Sequence, residues 1–211
     1  MICLSVFADD FDTCEALLSH FPFIEFRLDK TKMNTNEIKN LFRAANRTIA
    51  TCRSIKFEDS KRIEILKTAI QSGARYVDFD YKQDIEIFKF LKKECQTNNC
   101  KIILSYHNPE STPTLDELNN IKNQIKTSQP DIYKIACKVN DKKDIINLLS
   151  LYQDSQNDLI AIGLGEKGKI TRIAAINLGA PFTYASIDDN QETAPGQINY
   201  QTLKKIFELM K

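Results

Sequence analysis

The chain has 211 residues, with 29 Lys and Arg against 28 Asp and Glu, for a formal charge of +1. That length fits one domain or at most two small ones and is enough to bury a sizeable core. The evenly mixed charge excludes a basic nucleic-acid stripe and an acidic disordered tail, and no stretch approaches the roughly 20 apolar residues of a membrane span.

From the N-terminus, short β-rich runs recur at 2–7, 23–29, 48–54, 76–80, 101–107, 132–138, 159–165 and 182–186. The first has no charged region before it and is too short and too soon acidic for a signal peptide. Between the runs lie segments with helical spacing, such as Arg62-Ile63-Glu64-Ile65-Leu66-Lys67-Thr68-Ala69-Ile70 and Ile85-Glu86-Ile87-Phe88-Lys89-Phe90-Leu91. Gly73 and Gly179 stand where helices should stop, and Thr114 with Glu117 predicts a capping box opening the fifth helix. The last helix, about 199–210, places Leu203, Ile206, Phe207 and Met210 on one face. Strand–helix units of about 21 to 31 residues predict parallel strands joined by right-handed crossovers. Eight units with nothing left over predict an α/β fold: a single (β/α)8 TIM-type barrel of eight parallel strands over residues 1–211, close to the lower size limit for that fold. An open doubly wound sheet, with its five or six strands, fits less well. The six cysteines are scattered, and the closest pair, Cys95 and Cys100, has the wrong spacing for a zinc or redox motif. They read as packing thiols in a reducing cytoplasm.

Alternate residues of a strand face opposite sides. In the second run Ile24, Phe26 and Leu28 oppose Phe23, Glu25 and Arg27. In the third, Thr51 and Arg53 oppose Ala50 and Cys52. In the fifth, Ile103, Ser105 and His107 oppose Ile102, Leu104 and Tyr106, and in the sixth Lys134, Ala136 and Lys138 oppose Tyr133, Ile135 and Cys137. The apolar face should pack on helices and the polar face should point inward. Strand interiors exclude charge unless it is paired or functional, so Glu25, Arg27, Arg53, His107 and Lys134 are candidate site residues. Most lie toward the C-terminal ends of their strands, where barrel enzymes keep their chemistry.

Lys134 in an apolar strand is either paired with a carboxylate such as Glu25 or is a Schiff-base nucleophile, activated by desolvation and nearby cations. His107, ending the fifth run, titrates near neutrality and can move protons both ways. His20, at a helix end, reads as solvated. Arg172 sits in a helix first turn, where its charge opposes the dipole, so an anionic ligand would explain it. The stretch from Gly163 to Gly168 formally matches GxGxxG, but in the seventh unit a tight βα turn accounts for the glycines better than a nucleotide does. The polar segment 186–197 is either a flexible surface loop or a lid.

Six pieces together resemble the type I 3-dehydroquinate dehydratase family: Glu25-Phe26-Arg27, Thr51-Cys52-Arg53-Ser54, Ser105-Tyr106-His107-Asn108, Tyr133-Lys134-Ile135-Ala136, Gly168-Lys169-Ile170-Thr171-Arg172 and Ala194-Pro195-Gly196-Gln197. They occur in family order and span nearly the whole chain. The resemblance implies conversion of 3-dehydroquinate to 3-dehydroshikimate and water in aromatic amino acid biosynthesis. Lys134 would form the Schiff base and His107 would be the general acid and base. Arg172 would hold the substrate carboxylate, and Glu25 and Arg53 would orient ring hydroxyls. Thr193 and Gln197 would close the site, with Arg27 supporting the electrostatics. No metal or diffusible cofactor is implied, and no nucleic acid or membrane partner; the family is often homodimeric. The chain departs from the family at Phe57, where a glutamate thought to partner the histidine is usual; Glu58, Asp78 or Asp80 could replace it. It also departs at Gly163-Leu164-Gly165, where methionines are usual, and at Thr193, where serine is common. Two other readings accommodate an inward lysine: a class I aldolase or transaldolase-like barrel, and a non-catalytic barrel that binds a small carboxylate.

Overall fold

The computed structural model describes residues 1–210. Strands and helices alternate in the expected order: β1 (Ile2–Phe7), α1 (Phe11–Leu18), β2 (Ile24–Arg27), α2 (Thr35–Ala44), β3 (Thr48–Thr51), α3 (Asp59–Gln71), β4 (Tyr76–Asp80), α4 (Ile85–Thr97), β5 (Lys101–Asn108), α5 (Leu115–Thr127), β6 (Ile132–Lys138), α6 (Lys142–Ser150), β7 (Leu159–Leu164), α7 (Lys169–Asn177), β8 (Thr183–Ser186), β9 (Ile198–Asn199) and α8 (Tyr200–Leu209). The helix boundaries follow local chemistry. Thr114 accepts from the Glu117 N–H while the Glu117 side chain accepts from the Thr114 N–H, which is the predicted capping box. Asn34 with Glu37 and Asp141 with Asp144 open α2 and α6 in the same way. Gly73 and Gly179 follow α3 and α7 with φ of 106° and 101°, the left-handed conformation that ends helices.

The chain forms two compact units, Ser5–Ile103 and a second made of Met1–Leu4 with the segment from Leu104 onward. In the first, β2 pairs in parallel with β3 (Phe26↔Ala50) and β3 with β4 (Ala50↔Val77). The apolar strand face meets the helices as the alternation requires: Phe26 stacks edge-on against Phe42 of α2, and Phe79 against Phe88 of α4, each with centroids 5.9 Å apart. In the second unit β6 pairs in parallel with β7 (Lys134↔Ile160) and β1 with β8 (Cys3↔Tyr184). Here Tyr133 faces the helices. Its hydroxyl donates to Asp158, and Lys126 of α5 lies over its ring at 4.8 Å. Lys134, one residue on, therefore points the other way.

Two expectations need correction. A closed barrel of eight strands is not what forms: a ninth strand is present, and among the described residues the strand order ends on β7 at one side and on β9 at the other. The reason is local. β9 takes the edge of β8 that β1 leaves open, pairing Ala185 with Ile198 and Ser186 with Asn199. The preceding turn is fastened just beyond β7, where the Gly165 N–H donates to the Pro195 carbonyl at 2.9 Å. A Cβ on Gly196 would overlap the Gly165 carbonyl, so this close approach depends on glycine. The fold is α/β, parallel and TIM-like, with its last strand formed at Ile198–Asn199, between the polar segment 186–197 and the last helix. Second, β2 and β3 are shorter than expected, so Asp29 and Arg53 lie beyond the strands in loops.

All six cysteines are buried, and no disulfide joins them. No helix among the described residues is long and apolar enough to cross a membrane.

Candidate active site

In the unit Ser5–Ile103 the expected residues sit in a network of satisfied charges. Glu25 is buried on the polar face of β2. Its two carboxylate oxygens accept from the hydroxyls of Ser5 and Thr51 on the neighbouring strands. Arg27 donates from Nε to Asp29 at 2.9 Å and lies over the Phe7 ring, so it is tied down. Asp29 also accepts from the Arg53 backbone N–H, fixing the turn after β3. Arg53 reaches Asp78 through Nη2 at 2.6 Å and Asp84 through Nη1 at 3.1 Å. Burial alone would lower the Arg53 pKa; the carboxylates of Asp78, Asp84 and Asp80 outweigh it and raise the value.

Asp84 and Arg62 escaped the sequence reading, in which Arg62 was only one residue of a helical run. Arg62 is 1 % exposed, pairs with Asp84 and Asp59, and donates to the Cys52 carbonyl. Asp84 bridges the two arginines and also accepts from the Asp80 N–H. The signal available in sequence was a charged residue on the buried stripe of α3, next to Ile65, Leu66 and Ala69. Of the carboxylates considered in place of a glutamate at Phe57, Asp78 binds Arg53, Asp80 accepts from the Lys82 and Gln83 N–H groups, and Glu58 is exposed at the start of α3.

In the second unit, Lys134 is 7 % exposed, and its Nζ sits 4.3 Å from the centre of the Tyr184 ring. An aromatic face attracts a cation, so Tyr184 accommodates an ammonium and equally a protonated imine. Tyr184 was missed; its place two residues before the end of the eighth strand was the clue. His107 lies half-buried near the C-terminal end of β5.

Arg172, in the first turn and a half of α7, is fully buried. Its Nη2 reaches the Pro195 carbonyl at 3.5 Å, while Nε and Nη1 have no hydrogen-bond partner among the described residues. Burial lowers its pKa to about 10, against the raising influence of Glu192 and Tyr184. The 186–197 segment is ordered as a turn closed on itself. Thr193 N–H donates to Gln197 Oε1 at 2.8 Å, Gln197 Nε2 donates to the Thr193 hydroxyl, and Gly196 N–H donates to Glu192. The glycines from Gly163 to Gly168 build a tight turn. Gly165 has φ 82°, and a Cβ on Gly163 would press on Val139 and Gly168. Lys134, His107, Arg172, Thr193 and Gln197 thus belong to one unit, and Glu25, Arg27 and Arg53 to the other.

The sequence model of a family described as Type I 3-dehydroquinase matches residues 2–211. The chain is 35% identical to a 3-dehydroquinate dehydratase of Methanococcus maripaludis, covering 100% of both chains. It is also 35% identical to a 3-dehydroquinate dehydratase of Methanocaldococcus jannaschii, covering 100% of this chain and 99% of that one. Among solved structures, a 3-dehydroquinate dehydratase from Geobacillus kaustophilus superposes with a TM-score of 0.86 at 21% identity, covering 99% of this chain and 90% of that one. A type I enzyme from Clostridium difficile with covalently modified comenic acid gives 0.85 at 20% identity, covering 99% and 91%.

Proposed function

Because the chain belongs to the type I 3-dehydroquinase family, we propose that Lys134 is its Schiff-base amine and His107 its proton carrier. The enzyme is a hydro-lyase that converts 3-dehydroquinate to 3-dehydroshikimate and water, a step of the shikimate pathway. Neither the aldolase reading nor the non-catalytic one survives the full-length family match.

The observation that carries the assignment is a buried lysine whose amine rests on the face of Tyr184. Its Nζ adds to the substrate ketone, and loss of water from the carbinolamine leaves a protonated imine. The imine withdraws electrons and acidifies the adjacent C–H. His107 takes that proton, the electron pair forms the ring double bond, and His107 returns a proton to the departing hydroxyl. Hydrolysis of the product imine consumes one of the two waters released, so one remains as product. Arg172 holds the substrate carboxylate. Its Nε and Nη1 have no hydrogen-bond partner among the described residues and Nη2 makes a single long bond, so the guanidinium keeps donors for a charge-assisted contact. Glu25 and Arg53 orient ring hydroxyls, Arg27 supports Asp29 rather than touching substrate, and Thr193 with Gln197 closes the site. We extend the proposal to a single catalytic domain over residues 1–211 and to a cytoplasmic location.

Borohydride added with 3-dehydroquinate should trap a covalent adduct on Lys134, read as a mass shift of the peptide. Lys134→Ala should lose both adduct and turnover. His107→Ala should keep the adduct while turnover falls by about 10² to 10⁴. Normal turnover in His107→Ala would remove His107 from the mechanism.

A further inference from the structure

Ser186 ends β8 fully buried, and its Oγ has no hydrogen-bond partner among the described residues. An unsatisfied buried hydroxyl is costly and calls for an explanation. Other buried hydroxyls share the condition, but their positions differ. Thr48 and Thr183 open their strands, at the end remote from barrel chemistry, and Ser155 lies in the turn after α6. Ser186 alone of these lies at the C-terminal end of a strand.

Ser186 is two residues beyond Tyr184 and therefore shares its face, about 7 Å further along the strand. Tyr184 is the ring on which the Lys134 amine rests. Ser186 is thus the next side chain from that amine toward the end of β8 where substrate enters. Its backbone cannot drift, because it pairs with Asn199 of β9. Asn199 is itself fixed: it accepts from the Thr202 N–H at the start of α8 and donates to Asp189 at 2.6 Å. The C-terminal end of β7 offers only Ile162, Gly163 and Leu164, so no polar side chain there competes for the same ligand.

We propose that Ser186 is a substrate-contacting residue, whose hydroxyl forms a hydrogen bond with a ring hydroxyl of the bound polyhydroxylated ketone. The proposal rests on Lys134 being the imine-forming amine. It makes the free enzyme carry an unsatisfied group that substrate satisfies, so stability and affinity should respond in opposite directions.

The test is Ser186→Ala, with Ser186→Cys as a near-isosteric control, in the full-length enzyme. Steady-state kinetics with 3-dehydroquinate and thermal unfolding without ligand are both measured. For Ser186→Ala, KM should rise about tenfold, equivalent to about 1.4 kcal/mol, with kcat changed far less and Tm unchanged or higher. Ser186→Cys, a weak donor of similar size, should fall between wild type and Ser186→Ala in KM. An unchanged KM in Ser186→Ala overturns the proposal, and a lowered Tm with it would assign the hydroxyl to the fold. Borohydride trapping of the wild type separates the two levels. An adduct on Lys134 with an unchanged KM in Ser186→Ala sinks Ser186 alone, whereas a wild type without that adduct sinks the reading of the site as well.

Discussion

Arg53 and Arg172 are both arginines assigned to the substrate, and the structure surrounds them differently. Arg53, in the unit Ser5–Ile103, meets two carboxylates, one of which is braced in turn by Arg62. Arg172, in the other unit, is fully buried with one long bond to a carbonyl and two nitrogens without partners among the described residues. Arg53 is held in place before substrate arrives; Arg172 is held by packing and left electrostatically incomplete. A buried charge without a partner destabilises a fold, and such a group persists where a ligand completes it. The contrast implies that changes around Arg53 act first on stability, while changes at Arg172 act first on binding.

The largest effect is expected at Asp84, which bridges two buried arginines. Asp84→Asn should destabilise the enzyme by about 3 to 5 kcal/mol, because breaking a buried ion pair strands the charges that remain. Urea unfolding measures this. A loss within experimental error would mean that Arg53 and Arg62 are satisfied by Asp78 and Asp59 alone, and the contrast between the arginines would weaken.

Arg172→Met should do the reverse. Loss of a charged hydrogen bond to a carboxylate should raise KM about 10- to 150-fold, while stability without ligand stays level or increases. Equal KM values for variant and wild type would move the carboxylate site elsewhere.

A smaller effect concerns pH. Burial lowers the Arg172 pKa to about 10, with Glu192 and Tyr184 acting the other way. The protonated guanidinium is the form that binds a carboxylate. Affinity for a competitive carboxylate inhibitor should therefore fall as pH rises through about 10, and binding should take up a proton there because the anion restores the charge. Inhibitor affinity that stays flat across that range in the wild type would show Arg172 to be fully charged throughout, and so better partnered than its surroundings indicate.

Much of this was legible in the linear chain. Hydrophobic alternation placed eight strands in order and turned Glu25 and Lys134 away from the helices, because a period of two leaves no other choice once one face is apolar. Capping residues and left-handed glycines placed the helix ends, because those signals act over a few residues. The six family pieces singled out Lys134, His107 and Arg172 as candidates. The ninth strand was not legible: Ile198-Asn199 has no strand pattern of its own and becomes one only against the vacant edge of β8. The Asp84 bridge was equally hidden, since Arg62 and Asp84 are separated by β4 and much of α3.

By itself, then, the sequence determined the order and type of most elements and the polar face of each strand, since each depends on neighbours within a few positions. Only the tertiary structure decided which charges are satisfied internally, which are left for a ligand, and where the sheet ends. Those outcomes depend on groups far apart in the chain arriving within hydrogen-bonding distance, and no local pattern records whether they do.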